Sequence, residues 1–440
     1  MIDKILKFCF FVTILLIIFL LGFLSSNLKF KNIYSHLTYS IDLIENYFDF
    51  SLKKKFGDRD DRVAINNSEN TSDNNFDLYD KPNEKFEGYL LIKHDHTVPV
   101  LLESPDKMVW TWDLSSFRNS SKLLPLHMFS NGDLILGNYE NKGIYRINKN
   151  GQILWKRNKI NHHWIDISNG KIFIPSRKFV DLPEDLNNNL LSKSFLKNCK
   201  TKNSIFDTIL ILNEINGKII DEIDLMEKIL LDRNINIIFN TVYKFDPAIC
   251  NDPLHLNDIQ VVEKDDLKLI NNLIPNISEN DLILSFRSIN TIIFYDYKKS
   301  IVKNIIYNLF DKQHSPRIHT DGFLYVFDNN PNGKSSKILK INLKNNSIDS
   351  FFQSDTFKSD VRGRIQFFKN QLFVQSSSQG EVFKIICKSK FFELCEQQYV
   401  YSSNFSFFYP SNLYDSSKTF KKDQIYLADF YDKNYINFLD

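Results

Sequence analysis

Between Asp252 and Asn330 the chain sets His255, Asn257, Arg287 and His314 each at the edge of a strongly β-patterned run, in DPLHLNDIQVV, DLILSFRSINTIIFYD and QHSPRIHTDGFLYVFDNN. Strand edges are where a β-scaffold presents chemistry, so three such edges point to one shared pocket. Arginine carries a permanently charged planar fork that fits a tetrahedral oxyanion, and an asparagine amide adds donors. A neutral imidazole is a nucleophile, and a protonated one can hand a proton to a leaving group.

Six of the nine histidines fall at the start of a sequence unit or just before an Asn-Gly or Asp-Gly turn: His127, His162, His163, His255, His314 and His319. For His127 and His319 the repeat itself explains a polar residue at that place. His163, His255 and His314 occupy equivalent positions in different units, where they would point from separate directions into one channel. With Arg287 they make a small cationic basin suited to a sulfate or phosphate ester. Three histidines on a β-scaffold can also hold zinc or copper, but Arg287 beside a cation would repel it, so no metal or cofactor is expected.

The elements that must position these residues recur along the chain. Short apolar strands follow polar-Asn/Asp-Gly turns in SNGDLILG (130–137), SNGKIFIP (168–175), ENDLILSF (279–286), TDGFLYVF (320–327) and FKNQLFVQ (368–375). Asn and Gly tolerate the positive φ that two-residue hairpins require. Apart from a long gap between Gly170 and Asn280, the turns recur every 38 to 48 residues or so, the period of four-stranded propeller blades. Six units begin near Gly88, Leu124, His163, His255, His314 and Val361. The last strand, QIYLADFYDKNYINFL (424–439), is expected to close the ring by pairing into the first unit, which removes exposed sheet edges. Trp110 and Trp112 are expected between blades. The long gap holds insertions at 177–204 and 225–253, with DLMEKILLDRNI the clearest helix.

Composition agrees with a large β-domain. Aromatic residues make up 14% of the chain, enough for an extensive core and weighted toward sheet formers. The formal charge of +2 gives no electrostatic footprint for nucleic acid. At the N-terminus an uncharged apolar run of 17 residues (8–24) follows Lys4 and Lys7 and reads as a signal-anchor, with a cleaved signal peptide as the alternative. The domain reading is therefore a transmembrane anchor at 1–26, a membrane-proximal helix and flexible spacer at 27–85, and an all-β six-bladed propeller at 86–440. Beyond Cys9, four cysteines lie in the exported part, where oxidation is permitted. No CxxC occurs, so disulfides are expected; Cys387 and Cys395 flank a short hairpin, Cys199 and Cys250 stand at the ends of the insertions, and three pairings are formally open.

The motifs HxN (His255, Asn257), SFR (285–287) and QH followed by a strand ending in FDN (Gln313, His314, Asn329) also resemble, in this order, a known family. It is that of the PAPS-independent arylsulfate sulfotransferases, six-bladed propellers of the bacterial periplasm. The resemblance covers about residues 88 to 400 and implies sulfuryl transfer from an aryl sulfate to a phenolic acceptor, with no cofactor. It assigns the nucleophile to His314, the sulfuryl-holding groups to His255, Asn257 and Arg287, and proton transfer to His163 of the His162-His163 pair. Where the family has a threonine-bearing motif, this chain has VRGRIQFF (361–368), and Arg364 stands there as an anion contact, with His162 as a further substrate contact. The implied place is the periplasm or cell exterior, tethered to the inner membrane; a homodimer stays open as the assembly. A non-catalytic propeller that binds a ligand or protein is the competing reading, since propellers host many functions.

Overall fold

The computed structural model describes residues 85–439 apart from 95–96, 118–121, 139–142, 182–202, 246, 388–394 and 403–423. The apolar run at 8–24, the spacer as far as residue 84, and Cys9 and Cys199 lie outside them. Among the described residues no helix is long and apolar enough to cross a membrane.

Six four-stranded antiparallel sheets follow one another along the chain. The first contains β1 (Tyr89–His94), β2 (Val100–Ser104) and β3 (Lys107–Thr111). The second runs from β4 (Leu123–Met128) through β5 (Leu134–Asn138) and β6 (Ile144–Ile147) to β7 (Ile153–Arg157). The third comprises β8 (Asp166–Ser168), β9 (Lys171–Asp181), β10 (Asn203–Asn213) and β11 (Ile219–Asp224). The fourth has β12 (Leu256–Val261), β13 (Leu282–Phe286), β14 (Thr291–Asp296) and β15 (Ile301–Tyr307). The fifth has β16 (His314–Ile318), β17 (Leu324–Asp328), β18 (Lys337–Asn342) and β19 (Ser347–Gln353). The sixth has β20 (Arg364–Phe368), β21 (Gln371–Ser376), β22 (Glu381–Cys387) and β23 (Cys395–Ser402). The last strand, β24 (Ile425–Tyr431), pairs with β1 in the register Leu90↔Phe430 and Leu91↔Asp429 and supplies the innermost strand of the first blade. The ring closes as the sequence predicts.

An apolar cluster fills each of the six interfaces between neighbouring blades. The central strands show why their sequences are continuously apolar rather than alternating. On β13, Leu282, Leu284 and Phe286 pack toward the third blade, while Ile283 packs toward the fifth, so both faces are buried. Trp112 is buried between the first two blades with its indole N–H donated to the Gly132 carbonyl at 2.8 Å. The turn chemistry is also as expected: Asn169 and Gly170 carry φ of 51° and 70°, the pair of positive values that a type I′ hairpin needs.

Three features depart from the sequence reading. Residues 177–181 and 203–204, placed in an insertion, instead prolong β9 and β10 into a long paired hairpin. The helical segment is split into α1 (Leu225–Ile229) and α2 (Arg233–Phe245). The break falls at Asp232, whose carboxylate accepts the N–H groups of Asn234 and Ile235 at 2.9 and 3.1 Å and so starts a new helix. A third helix, α3 (Lys264–Ile270), opens on a Glu263/Asp266 capping box between β12 and β13 and has no counterpart in the sequence reading. Cys387 and Cys395 form a disulfide across the sixth blade. Cys250 is also disulfide-bonded, and Cys199, its proposed neighbour, lies outside the described residues.

Candidate active site

Because every blade repeats one topology, the innermost strands start at the same mouth of the channel. His255 stands at the entry to β12, His314 opens β16, Arg362 and Arg364 lead into β20, and His162 and His163 precede β8. Several of these entries are held in a conformation that non-glycine residues avoid: φ is 70° at His163, 56° at His255, 58° at Lys312, 51° at Ser315 and 61° at Arg362. Each such residue costs on the order of 1–3 kcal/mol, so the surrounding structure must over-determine them, and clusters of this kind mark functional sites. Gly363, at φ 108°, has no room for a side chain, since a Cβ would lie 2.5 Å from the Phe327 ring. It allows the Arg362–Arg364 turn to press against the fifth blade.

The bonds around His314 fix its tautomer. Its Nδ1 faces two oxygens that can only accept, the Asn329 side-chain carbonyl at 2.6 Å and the Lys312 backbone carbonyl at 3.0 Å. Asn329 cannot be turned around, because its amide nitrogen donates to the carbonyls of Ser359 and Arg362 at 2.6 and 2.5 Å. Nδ1 therefore carries the hydrogen, and Nε2 holds the lone pair. The loop that carries His314 is fastened to the fourth blade by Gln313, whose amide donates to Ser285 Oγ, Phe286 O and Thr291 O at 3.1, 3.2 and 3.1 Å. Asn257 donates to the Gln313 carbonyl at 2.6 Å. The HxN asparagine and the QH glutamine thus position His314, and the Asn257 amide is directed at the protein rather than at a substrate oxygen.

His255 has a different support. Its Nδ1 is 2.5 Å from Asp252 Oδ2, which also accepts from Arg177 Nη2 at 3.0 Å. Arg177 reaches Asp207 at 3.5 Å, and Asp207 in turn accepts the N–H of Leu256 at 3.0 Å. His162 and His163 each bring Nε2 to 3.3 Å from His255 Nε2. The ring centres of His163 and His314 are 5.5 Å apart. Arg287 donates its backbone N–H to the His255 carbonyl at 3.1 Å, which places it at the same mouth.

Burial dominates the protonation of these groups. It lowers His314 to about 3, with the nearby charge of Arg287 adding to the effect, although the bond to Asn329 opposes it. Burial likewise holds His162 and His163 well below the usual histidine range, with charges on Arg177 and the other histidines in support. His255 is lowered by burial too, but the Asp252 carboxylate pulls it back up. Asp252 is pushed up by burial, yet its bond to His255 and the charges of His255, Arg177 and Arg287 hold it below its ordinary value. Burial raises Asp207.

These shifts have a consequence for stability. His314 titrates at about 3 and His127 at about 4 in the folded protein, against 6.5 in an ordinary environment. As pH falls below 6.5 the unfolded chain takes up these protons first, so their contribution is complete above that pH and is lost toward the folded values. The urea midpoint is expected to be lower at about pH 5 than at about pH 7.5, and the drop to be smaller in His314→Asn. Equal midpoints would contradict this protonation scheme. A separate result is expected for Asn329→Ala. Losing the Asn329 donations to the Ser359 and Arg362 carbonyls costs about 1–3 kcal/mol, and the freed His314 ring loses its tautomer. Unfolding curves and turnover should fall together.

Beside His163 a narrow cleft is walled by Leu124, Leu126, Trp164 and Tyr426 and edged by Arg362 and Arg364. Arg362 lies 3.8 Å over the Tyr426 ring. Arg364 pairs with Asp429 at 3.0 Å, while its Nε and Nη1, like the Trp164 indole nitrogen, are buried without a protein partner. Further along the channel Asp258 and Arg317 pair at 2.9 Å. His127 meets Phe129 edge-to-face in the second blade, and His319 stacks on Phe367 beside Asp321. The residues brought together are thus His162, His163, His255, Arg287 and His314, with Asn257 beneath them and Arg364 at the adjoining cleft. Sequence reasoning missed Arg177, Asp207, Asp252, Asn329 and Arg362. The DxxH spacing of Asp252 and His255 and the final residue of FDN were the available signals.

Residues 187–391 match the family model of the arylsulfotransferases (ASST). Over this stretch, just under half of the chain, the sequence is similar to the arylsulfotransferases. The matched stretch holds Asp252, His255, Arg287, His314, Asn329 and both arginines of the sixth blade, whereas His162, His163 and Arg177 precede it. No curated protein matches the chain. Among solved structures, a Bacteroides caccae protein of unknown function is 10% identical, with 71% of this chain and 97% of that one covered and a TM-score of 0.42. A catalytically inactive virginiamycin B lyase from Staphylococcus aureus, solved with quinupristin, is 14% identical over 68% and 76% of the two chains, with a TM-score of 0.39.

Proposed function

We propose that this site moves a sulfuryl group from an aryl sulfate ester to a phenolic acceptor through a sulfohistidine on His314. The observation that carries the reading is the locked tautomer of His314, which leaves a neutral Nε2 lone pair at the channel mouth beside Arg287. In the first half-reaction Nε2 attacks sulfur, the bond from sulfur to the aryl oxygen breaks, and that oxygen leaves with a proton. In the second, the acceptor oxygen attacks sulfur, the bond between nitrogen and sulfur breaks, and the acceptor's proton passes to the protein. Arg287 bears the charge that grows on the sulfuryl oxygens. The Asp252 carboxylate behind His255 favours that residue as the proton carrier, a role the sequence reading gave to His163. Trp164 and Tyr426 offer flat walls for an aromatic ring, and the unpartnered nitrogens of Arg364 offer an anion contact there.

The substrate class is tested by release of 4-nitrophenol from its sulfate ester. Release is expected to be sustained only when a phenol is added, because without an acceptor the enzyme stops at the sulfated form. Release that is indifferent to phenol would identify a hydrolase instead, and no release with any aryl sulfate would favour a binding module. We further place the propeller outside the inner membrane, held by the apolar segment at 8–24. Protease added to cells whose outer membrane alone is opened should cleave it, and protection would contradict that placement.

A further inference from the structure

We propose that His162, His163 and His255 form a binding site for a divalent transition-metal ion of the zinc, cobalt or copper class, with a fourth coordination position left open. Ions of this class favour imidazole nitrogen. Zinc–nitrogen bonds of about 2.0–2.1 Å at tetrahedral angles set their nitrogens about 3.3–3.4 Å apart. Here the Nε2 atoms of His162 and His163 each lie 3.3 Å from Nε2 of His255, and one nitrogen from each ring lies within 4.8 Å of the others. Direct hydrogen bonding explains this convergence less well. The distance exceeds the usual 2.7–3.2 Å or so, and one lone pair on His255 would have to accept from two rings.

The support behind the cluster is also that of a metal site. His255 presents Nε2 because its Nδ1–H is given to Asp252 at 2.5 Å, the carboxylate–histidine arrangement that orients a metal ligand and raises its basicity. His163 is held by Asn161, which donates to its carbonyl at 3.1 Å, and His162 by its N–H to the Pro175 carbonyl at 2.8 Å. The sequence objection was repulsion from Arg287. In the folded chain Asp252 and Asp207 pair with Arg177, Arg362 is turned onto Tyr426, and the Asp252 carboxylate directly behind His255 supplies negative charge at the cluster. Three protein ligands leave one position for water or an anion, the pattern of sites that act on a ligand rather than only bracing a fold.

The inference goes beyond sulfuryl transfer, which belongs to the metal-free site because His255 Nε2 cannot hold an ion and carry a proton at once, and its test reads binding rather than turnover. The tag-free full-length chain, stripped with EDTA, is titrated with Co²⁺ alone. Expected is one ion per chain with intense visible d–d bands of a four-coordinate site, bands that move when sulfate takes the open position. His162→Gln should abolish the bands, and Asp252→Asn should weaken the affinity on the order of 10- to 100-fold. Urea unfolding of each variant confirms that it is folded, and Asp252→Asn, which keeps all three ligands, carries the test where His162→Gln does not fold. Absence of a stoichiometric Co²⁺ spectrum in the parent, or parent-like affinity in the folded variants, overturns the proposal whatever the transfer assay shows.

Discussion

His314→Asn is expected to remove sulfuryl transfer altogether, by on the order of 10⁴-fold or more, while the propeller stays folded. An asparagine fits the space and can still donate toward the Lys312 carbonyl, but an amide has no lone pair fit to attack sulfur. The loss should appear in turnover number rather than in substrate affinity, because Arg287 and the aromatic cleft remain. Unfolding measured alongside turnover separates chemistry from misfolding. The variant removes one of the buried histidines that protonate on acid unfolding, so it should be no less stable than the parent at low pH. Turnover retained in this variant would mean that another imidazole is the nucleophile, and His255 would be the first to examine.

Arg287→Lys is expected to cost on the order of 10²-fold or more, even though the charge is kept. A guanidinium presents two parallel donors to a tetrahedral oxyanion, whereas an ammonium is a compact, strongly hydrated point charge. If Arg287 acts mainly by stabilising charge that develops on the sulfuryl oxygens, kcat and kcat/KM should fall together while KM changes little. A change confined to KM would place Arg287 in ground-state binding. The substitution should leave the backbone bond from residue 287 to His255 intact, since that bond does not involve the side chain.

Much of this arrangement was legible from local chemistry. Asn-Gly turns demand positive φ, and the spare strand at 424–439 had no partner except the first unit, so blade number and ring closure followed from turn spacing and edge pairing. His163, His255 and His314 were found because equivalent repeat positions converge once the ring closes. The groups that escaped notice are those whose meaning depends on long-range contact. Arg177 lies 75 residues before Asp252, and no sequence pattern brings them together; their bond exists because β9 continues past the expected end of its blade. Asn329 is separated from His314 by a whole hairpin. Asn257 was read as a substrate donor because motif and residue type allow it, and only the folded loop shows its amide committed to the Gln313 carbonyl. Helix α3 was missed because its apolar residues, Leu267, Leu269 and Ile270, follow the capping box too briefly to establish a helical period.

The central claim is a covalent sulfuryl group on His314, and intact-protein mass spectrometry after rapid mixing with an aryl sulfate, with no acceptor present, tests it most directly. The parent should gain the mass of one sulfuryl group, lose it when a phenol is added, and yield the label on a peptide that contains His314. His314→Asn should show no added mass. A parent that transfers sulfuryl groups with no adduct at any time point, or with an adduct located at His163 or His255, would contradict the claim.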